Sequence, residues 1–321
     1  MRVAVVGAGA MGSLFAARLA LAGEDVTLVS RPSPHLEIIQ QAGLTLVEND
    51  GSRQAVPIPA TRDPIGVSGA DLVILLIKAW ATAEAISAIR PYLSAATVIL
   101  TLQNGLGNQQ AIRDALGDGA PQPILVGVTS QAALRETPGV VHHAGTGPTR
   151  IGGGREPSET MRRAVARLLT AAGIPTDDVT NIEWWIWQKV AINVAINGLT
   201  ALMGEANGAL LRDDELRLAA RTLANEVAAV AASQGFDLGD IVLAVEEVVA
   251  ATAANRSSML RDLETGSRTE VEAIHFAVLD VAAVAGVDVP ATRVVSALLK
   301  HREGHAARQT TDHTRNRNVL V

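Results

Sequence analysis

The chain has 321 residues, 48% of them hydrophobic and 19% charged, with a formal net charge of −6 at pH 7. Such a length predicts two domains with a core each, the composition excludes a disordered chain, and the acidic balance leaves no global positive field for nucleic acid or anionic lipid. The absence of cysteine excludes disulfides, thiolate metal sites and thiol nucleophiles, and fits a reducing cytoplasm.

The first strand is expected almost at Met1, which leaves no room for a signal peptide, and no apolar run approaches the roughly 18 residues that a membrane span needs. A soluble cytoplasmic chain is the expectation. The opening MRVAVVGAGAMGSLFAARLALAGEDVTLVSR reads as a buried strand, a glycine turn, an amphipathic helix, a stop at Gly23 and a second apolar strand, which is a βαβ unit. Further strands are predicted in LVILLI between Asp71 and Lys78, from Thr97 to Leu102 and from Ile124 to Val128. Helical patterns lie between most of them, so the N-terminal domain is an α/β Rossmann domain built on a doubly wound parallel sheet. From about Gly127 to Gly154, Gly, Thr, Pro and His between short apolar pieces predict antiparallel strands that close this sheet.

After Asn181 the pattern is helical: EWWIWQKVAINVAINGLTAL, then Asp214 to Ser233, Leu238 to Thr252, Arg268 to Ala285, and a last helix from Pro290 to near His301. The expected organisation is a Rossmann domain at 1–180, an all-α C-terminal domain at 181–302 and a flexible tail at 303–321.

Gly7, Gly9 and Gly12 form G-x-G-x-x-G between a predicted strand and helix. The first permits a tight turn, the second lets backbone approach a pyrophosphate, the third allows close helix packing, and helix N-terminal amides then face the anion. A purely structural glycine turn is the alternative, but strand, helix and second strand in order favour a dinucleotide. Where an NAD site places a carboxylate at the end of the second strand, this chain has Ser30-Arg31. A guanidinium suits a 2′-phosphate, so NADPH is the expected cofactor, against the alternative of a solvated surface arginine.

Lys78 ends a predicted strand at the carboxyl edge of the sheet, where ligands of such folds bind, or it merely solubilises that end. Asn104, in LQNGLG, can donate to a substrate carbonyl or hydroxyl, or simply make an Asn-Gly turn. Lys189, Asn193 and Asn197 fall at i, i+4 and i+8 of an otherwise apolar helix and so share one face. A polar line of this kind needs partners such as a ligand, or else it is a solvent-facing stripe. Trp184, Trp185 and Trp187 read as packing residues. Gly266 breaks the chain between Ser257-Ser258 and Glu270 and can turn both toward one pocket, although Glu270 alone reads as a surface carboxylate. The seven histidines show no H-E-x-x-H spacing, so no catalytic metal is expected, and no G-x-S-x-G elbow supports serine hydrolysis.

Taken in order and spacing, GAGAMG, SR after the second strand, LLIKAW, LQNGLG, WQKVAINVAIN-x-LTAL, ANG, SSML-x-DL and RTEVEAI make the chain resemble the ketopantoate reductase (2-dehydropantoate 2-reductase) family to about position 302. The resemblance implies a Rossmann domain, a helical domain, an active site in the cleft between them, and NADPH held by Gly7, Ala8, Gly9, Ala10, Met11, Gly12, Arg31 and Lys78. It further implies cofactor contacts at Asn104, Ala133 and Glu270, catalytic roles for Lys189 and Glu270, and substrate contacts at Asn104, Asn193, Asn197, Asn207 and Ser258. Gly198 stands where the family often has proline, and the tail has no counterpart. The implied partner is a small 2-oxo acid, with a homodimer as an open option for assembly. A reductase of a bulkier 2-oxo acid and a non-catalytic NADPH-binding regulator are the competing readings.

Overall fold

The computed structural model describes residues 1–153 and 158–317, with side chains through 306. The chain contacts divide it into two compact units, one of Met1–Gln103 with Asn108–Ile182, the other of Asn104–Gly107 with Glu183–Val321. The short segment 104–107 thus leaves the first unit by contact although it lies within it by sequence.

Among the described residues the first unit holds strands β1 (Arg2–Val6), β2 (Asp25–Val29), β3 (Leu44–Val47), β4 (Arg53–Val56), β5 (Ala60–Thr61), β6 (Leu72–Leu75), β7 (Val98–Thr101), β8 (Ile124–Thr129), β9 (Ala132–Thr137), β10 (Val140–Gly145), β11 (Thr149–Gly152) and β12 (Thr176–Asp178). Eight of them form one sheet in the order β12-β11-β8-β7-β6-β1-β2-β5. Its strands pair in parallel except β11 against β8. Strands β1, β6 and β7 are almost wholly buried, as parallel strands covered on both faces must be. The chain order jumps outward from β1 in both directions, which is the doubly wound arrangement the sequence predicts.

The sequence reading is corrected at the hairpin β9-β10. It does not close the main sheet but joins a second sheet in the order β4-β3-β10-β9, in which β10 runs parallel to β3. Leu44, Leu46, Val56 and Val141 of this sheet are buried in the same cluster as Leu14, Ala17 and Leu19 of the helix Ala10–Leu21. Burying that apolar face on the helix is what the hairpin gains by leaving the main sheet. Of the stretch read as its source, Gly154 lies outside the described residues.

From Glu183 onward the described residues form helices joined by turns and irregular loops. The helix Ile182–Met203 carries Trp187, Val190, Ala191, Val194, Ala195 and Ile196 into one core with Leu223, Val227, Val245, Ile274 and Val278. Asp213 caps the helix Asp214–Ser233 by accepting from the Glu215 and Leu216 amides. A short helix at Ser258–Glu264, not read from the sequence, is capped by Ser257. The stretch predicted as one helix from Arg268 starts instead as a π-helical turn at Glu272–Phe276 and continues as an α-helix over Ala277–Ala285.

The last helix runs from Pro290 to Arg317, well past His301. The expected tail is therefore helical as far as it is described, and residues 318–321 lie outside the description. No proline follows Pro290, and Glu303, Ala306, Ala307 and Arg308 are good helix formers. The extension is also anchored, since Arg302 donates to the Leu202 carbonyl, Glu303 accepts from Thr269 and Ala306 packs on the core.

Candidate active site

In the first unit the three glycines of the turn do different things. Gly7 sits at φ +112°, and an added Cβ would lie 2.7 Å from the Leu76 carbonyl oxygen. A Cβ on Gly12 would lie 1.8 Å from the Gly7 carbonyl oxygen. Both are therefore required by the packing of the chain itself. Gly9 is different: it precedes the helix Ala10–Leu21 with ordinary φ and no side-chain cap, and a Cβ there would meet nothing within 4 Å. Glycine at that point keeps open the space before a helix N-terminus whose first amides face outward, the room a pyrophosphate needs. Ala8 is buried, while Ala10 and Met11 in the first helical turn are half-buried.

Exposed Arg31 follows the buried end of β2, and its guanidinium lies 5.5 Å from the centroid of the Trp80 ring, within cation-π range. Lys78, half-buried, opens the 3-10 turn Ala79–Ala81, so Lys78 and Trp80 sit on one turn just beyond β6. The turn is braced by buried Gln103, whose Nε2 donates to the Ile77 carbonyl at 3.1 Å and to Thr82 Oγ1 at 2.8 Å. Behind the glycine turn, the Gly139 amide donates to His35 Nδ1 at 2.8 Å, so the proton sits on Nε2 and is given to Ser13 Oγ at 2.9 Å. Burial, aided by the charge of Arg135, pushes His35 down to about 4 and keeps it neutral. This pair ties the helix Pro34–Ala42, just after Arg31, to the helix that starts at the glycines.

Sequence reasoning gave Trp80, Gln103 and His35 no role. Trp80 stands two residues after Lys78 in a motif already singled out, but its partner is 49 positions away, and nothing local announces that contact.

In the second unit, Lys189 lies one helical turn before Asn193 and two before Asn197 on Ile182–Met203. Burial pushes its ammonium from the usual lysine range down to about 8, against the opposing influence of the Glu270 carboxylate, which favours the charged form. The side chain keeps some solvent contact overall, yet the ammonium end is densely enclosed. Glu270 is buried, and its Oε2 accepts from Asn104 Nδ2 at 3.3 Å. The 104–107 segment is fixed there because the Leu106 amide donates to the Ala273 carbonyl at 2.9 Å, and a Cβ on Gly105 would meet that same carbonyl at 2.3 Å. Lys189, Glu270 and Asn104 are thus brought together from three distant stretches. Asn193 is half-buried and Asn197 buried on the helix that carries Lys189.

Asn207 and Ser258 belong to a neighbouring loop system. The Asn207 amide donates to the Asn255 carbonyl and its Nδ2 to Thr252 Oγ1, both at 2.9 Å, while its Oδ1 is buried without a partner. Ser258 is the exposed first residue of its short helix; the buried cap is Ser257, which accepts from Thr200 Oγ1 at 2.9 Å and so joins this loop to the helix of Lys189. Ala133 lies in the smaller sheet, paired in register with His143, and packs on the first unit's core. Among the described residues no group of three or more His, Cys, Asp or Glu could hold a metal ion, and no helix is long and apolar enough to cross a membrane.

Chemically, the second unit presents a buried acid: an ammonium shifted toward neutrality, with a carboxylate and an amide beside it. Such a group can protonate an oxygen that becomes basic during a reaction. The first unit presents a glycine turn that leads into a helix N-terminus, with a cation just past the end of the second strand. Comparison with known proteins points the same way. Residues 3–156 match the family model described as ketopantoate reductase PanE/ApbA, and residues 181–303 match its C-terminal counterpart. The 2-dehydropantoate 2-reductase of Halobacterium salinarum is 36% identical over 301 residues, covering 94% of this chain and 98% of that protein. A crystal structure of a PanE/ApbA family ketopantoate reductase from Ralstonia eutropha superposes with a TM-score of 0.86 at 32% identity, covering 95% of this chain and 99% of that one. The ternary structure of D-mandelate dehydrogenase with NADH and anilino(oxo)acetate has a TM-score of 0.89 at 26% identity, with the same coverage.

Proposed function

The chain belongs to the ketopantoate reductase family, and from that premise we propose that it is a cytoplasmic enzyme that reduces 2-dehydropantoate to pantoate with NADPH. A pyridine nucleotide is the cofactor class of this family. The residues fit such a group: Gly9 leaves the approach to the helix N-terminus open, and Arg31 stands where a 2′-phosphate would be met by a cation. In this reading Gly7 to Gly12 and Lys78 hold the phosphates, Arg31 selects the 2′-phosphate, and Asn104 and Ala133 add contacts. When bound, the nicotinamide supplies the hydride that adds to C2 of the 2-oxo acid.

The remaining chemistry belongs to the second unit. Lys189, as ammonium, gives its proton to the C2 oxygen as that oxygen gains charge, and its positive charge stabilises the oxyanion first. A pKa near 8 keeps it largely charged at neutral pH while making the proton easier to release than from an ordinary lysine. Glu270 favours the charged form of Lys189 and accepts from the substrate's 4-hydroxyl; Asn104, Asn193 and Asn197 orient the substrate, and Ser258 with Asn207 receives the carboxylate end. The lowered pKa of Lys189 opposite Glu270, on a helix otherwise given to apolar packing, is the observation that carries this reading.

The test compares kcat/KM for 2-dehydropantoate with 2-oxoisovalerate, which lacks the hydroxymethyl group. A site built to bond a hydroxyl rejects the analogue by as much as roughly 10⁴, and Glu270→Ala should shrink that ratio. A wild-type preference for 2-oxoisovalerate, or for an aromatic 2-oxo acid, would refute the substrate while leaving the hydride chemistry standing. No turnover with any 2-oxo acid would return the chain to the class of dinucleotide-binding regulators.

A further inference from the structure

Glu270 stands at an awkward place in the chain. The residues before it leave the short helix Ser258–Glu264 through Gly266 at φ +65°, and those after it enter a π-helical turn at Glu272–Phe276. A regular helical ladder therefore does not hold the backbone on its N-terminal side. Thr269, immediately before it, is buried, and its amide needs an acceptor, since a buried donor left unpaired is costly.

That acceptor comes from the last helix. Glu303 Oε1 accepts from the Thr269 amide and from Thr269 Oγ1, both at 2.7 Å, and the same Oγ1 accepts from the Val271 amide at 3.2 Å. One carboxylate thus grips the residue before Glu270 directly and the residue after it through a hydroxyl. Its other oxygen accepts from Lys300 at 3.0 Å, and Lys300 also pairs with Glu272 at 2.7 Å. Burial disfavours the ionised form of Glu303, but the hydrogen bonds from Thr269 and the ammonium of Lys300 outweigh it and hold the group below the usual carboxylate range. The charged and titratable groups around this junction include Lys189 from its own helix, Arg268, Glu270, Glu272 and His275 from the junction, and Lys300 and Glu303 from the last helix; His275, packed against the helix of Lys189, is pushed down to about 4 by burial and stays neutral.

We propose that Glu303 is a positioning residue of the reductase, fixing the backbone around Glu270 so that its carboxylate stays beside Lys189 and Asn104. The stretch beyond His301, expected as a tail, then has a part in the reaction. This rests on the reading of Lys189 and Glu270 given above. Freed from Glu303, the Glu270 carboxylate drifts from Lys189, and the ammonium loses an influence that opposes its burial. Its pKa falls, so the basic limb of the pH profile moves to lower pH.

The experiment compares Glu303→Ala, Glu303→Gln and Thr269→Val with Glu270→Gln. A glutamine oxygen can still accept from both Thr269 donors, whereas alanine cannot. Glu303→Ala should lower kcat/KM on the order of 10-fold at pH 7, the scale of a small misplacement of a reacting group, and move the basic limb down; Glu303→Gln should restore both. The titration of Lys189 itself can be followed without cofactor or substrate, from the pH dependence of amine labelling at that residue read by mass spectrometry, and it should shift in the same direction. If Glu303→Ala does not fold, Thr269→Val carries the test, with the same direction of shift in both readouts. A limb and a labelling pKa at their wild-type positions in Glu303→Ala or Thr269→Val overturn the proposal, as does a glutamine variant no better than alanine. If Glu270→Gln moves the limb while Glu303→Ala does not, only the positioning role fails. If neither moves it, the reading of Glu270 fails as well.

Discussion

The two units build their sites by opposite means. In the first, six consecutive residues from Gly7 to Gly12 define the turn, and what matters is the side chains they lack: two glycines are demanded by contacts as close as 1.8 and 2.7 Å to a hypothetical Cβ, and a third leaves open space. In the second, the site is made of side chains from distant stretches, with Asn104 bonded to Glu270 across 166 positions and Lys189 held between them in sequence. A backbone site is robust in charge and fragile in shape. A side-chain site is the reverse, because its chemistry lies in the balance between burial and one opposing carboxylate.

The largest expected effect breaks the second site alone. If Lys189 is the proton donor and Gly7 to Gly12 hold the dinucleotide, Lys189→Ala should lower kcat by roughly 10² to 10⁴ while NADPH binding stays near wild type. Activity within a few-fold of wild type would remove Lys189 from the mechanism. In the wild type, the acid must be protonated to act and Lys189 is pushed down to about 8. Activity should therefore hold at neutral pH and fall about tenfold per pH unit well above that value. A profile flat to pH 10 would mean that the titrating acid is another group.

The glycine turn breaks by shape, and its two kinds of glycine should separate. Gly12→Ala forces a Cβ against the Gly7 carbonyl oxygen at 1.8 Å and should cost roughly 3 kcal/mol or more of stability, read as a lowered midpoint in urea. Gly9→Ala meets nothing within 4 Å and should cost about 1 kcal/mol or less, yet weaken dinucleotide binding about tenfold or more, because the methyl fills the approach to the amides. Equal stability losses in the two variants would show that Gly9, too, is a packing glycine.

This contrast also explains what the sequence made legible. The turn, the parallel strands around it and the longer helices of the second unit are local patterns with a period or a spacing, and they can be read directly; the short helix Ser258–Glu264 has too few residues to show one. Lys189, Asn193 and Asn197 share a face for the same reason. The return of β10 to pair with β3, carrying β9 with it, is not legible, because the hairpin's turn chemistry is compatible with either sheet and the choice is made by burying Leu46 and Val141 with a helix far back in the chain. The last helix was cut short because polar residues after His301 look like a tail until Glu303 is seen against Thr269. Trp80 is not legible either, since its contact with Arg31 joins the chain beyond the ends of two different strands.

Cofactor choice sharpens the comparison, for it puts a side chain back into the first unit. Arg31→Ala should weaken NADPH by roughly 10- to 150-fold, the loss of charge-assisted bonds of about 1.5 to 3 kcal/mol, with NADH little changed. Equal losses for both cofactors would sink the assignment of Arg31 to the 2′-phosphate. Adenosine 2′,5′-bisphosphate against 5′-AMP, titrated by calorimetry, isolates the same term without the nicotinamide.

The smallest effect concerns the ring beneath that arginine. Trp80 lies 5.5 Å from the Arg31 guanidinium and both sit at the carboxyl ends of their strands, so the ring holds the cation in place before any ligand arrives. An exposed cation-π contact is worth about 0.5 to 1 kcal/mol, which corresponds to roughly a two- to five-fold change in affinity. Trp80→Ala should therefore weaken adenosine 2′,5′-bisphosphate by that factor and 5′-AMP hardly at all, while Trp80→Phe, which keeps an aromatic face, should fall in between. The decisive control is the double variant. If the ring acts only by holding Arg31, removing it in an Arg31→Ala background costs nothing more, because there is no longer a cation to hold. A full second loss in the double variant would show that Trp80 meets the ligand by itself, and the first unit would then recognise its nucleotide with a side-chain surface as well as a backbone turn.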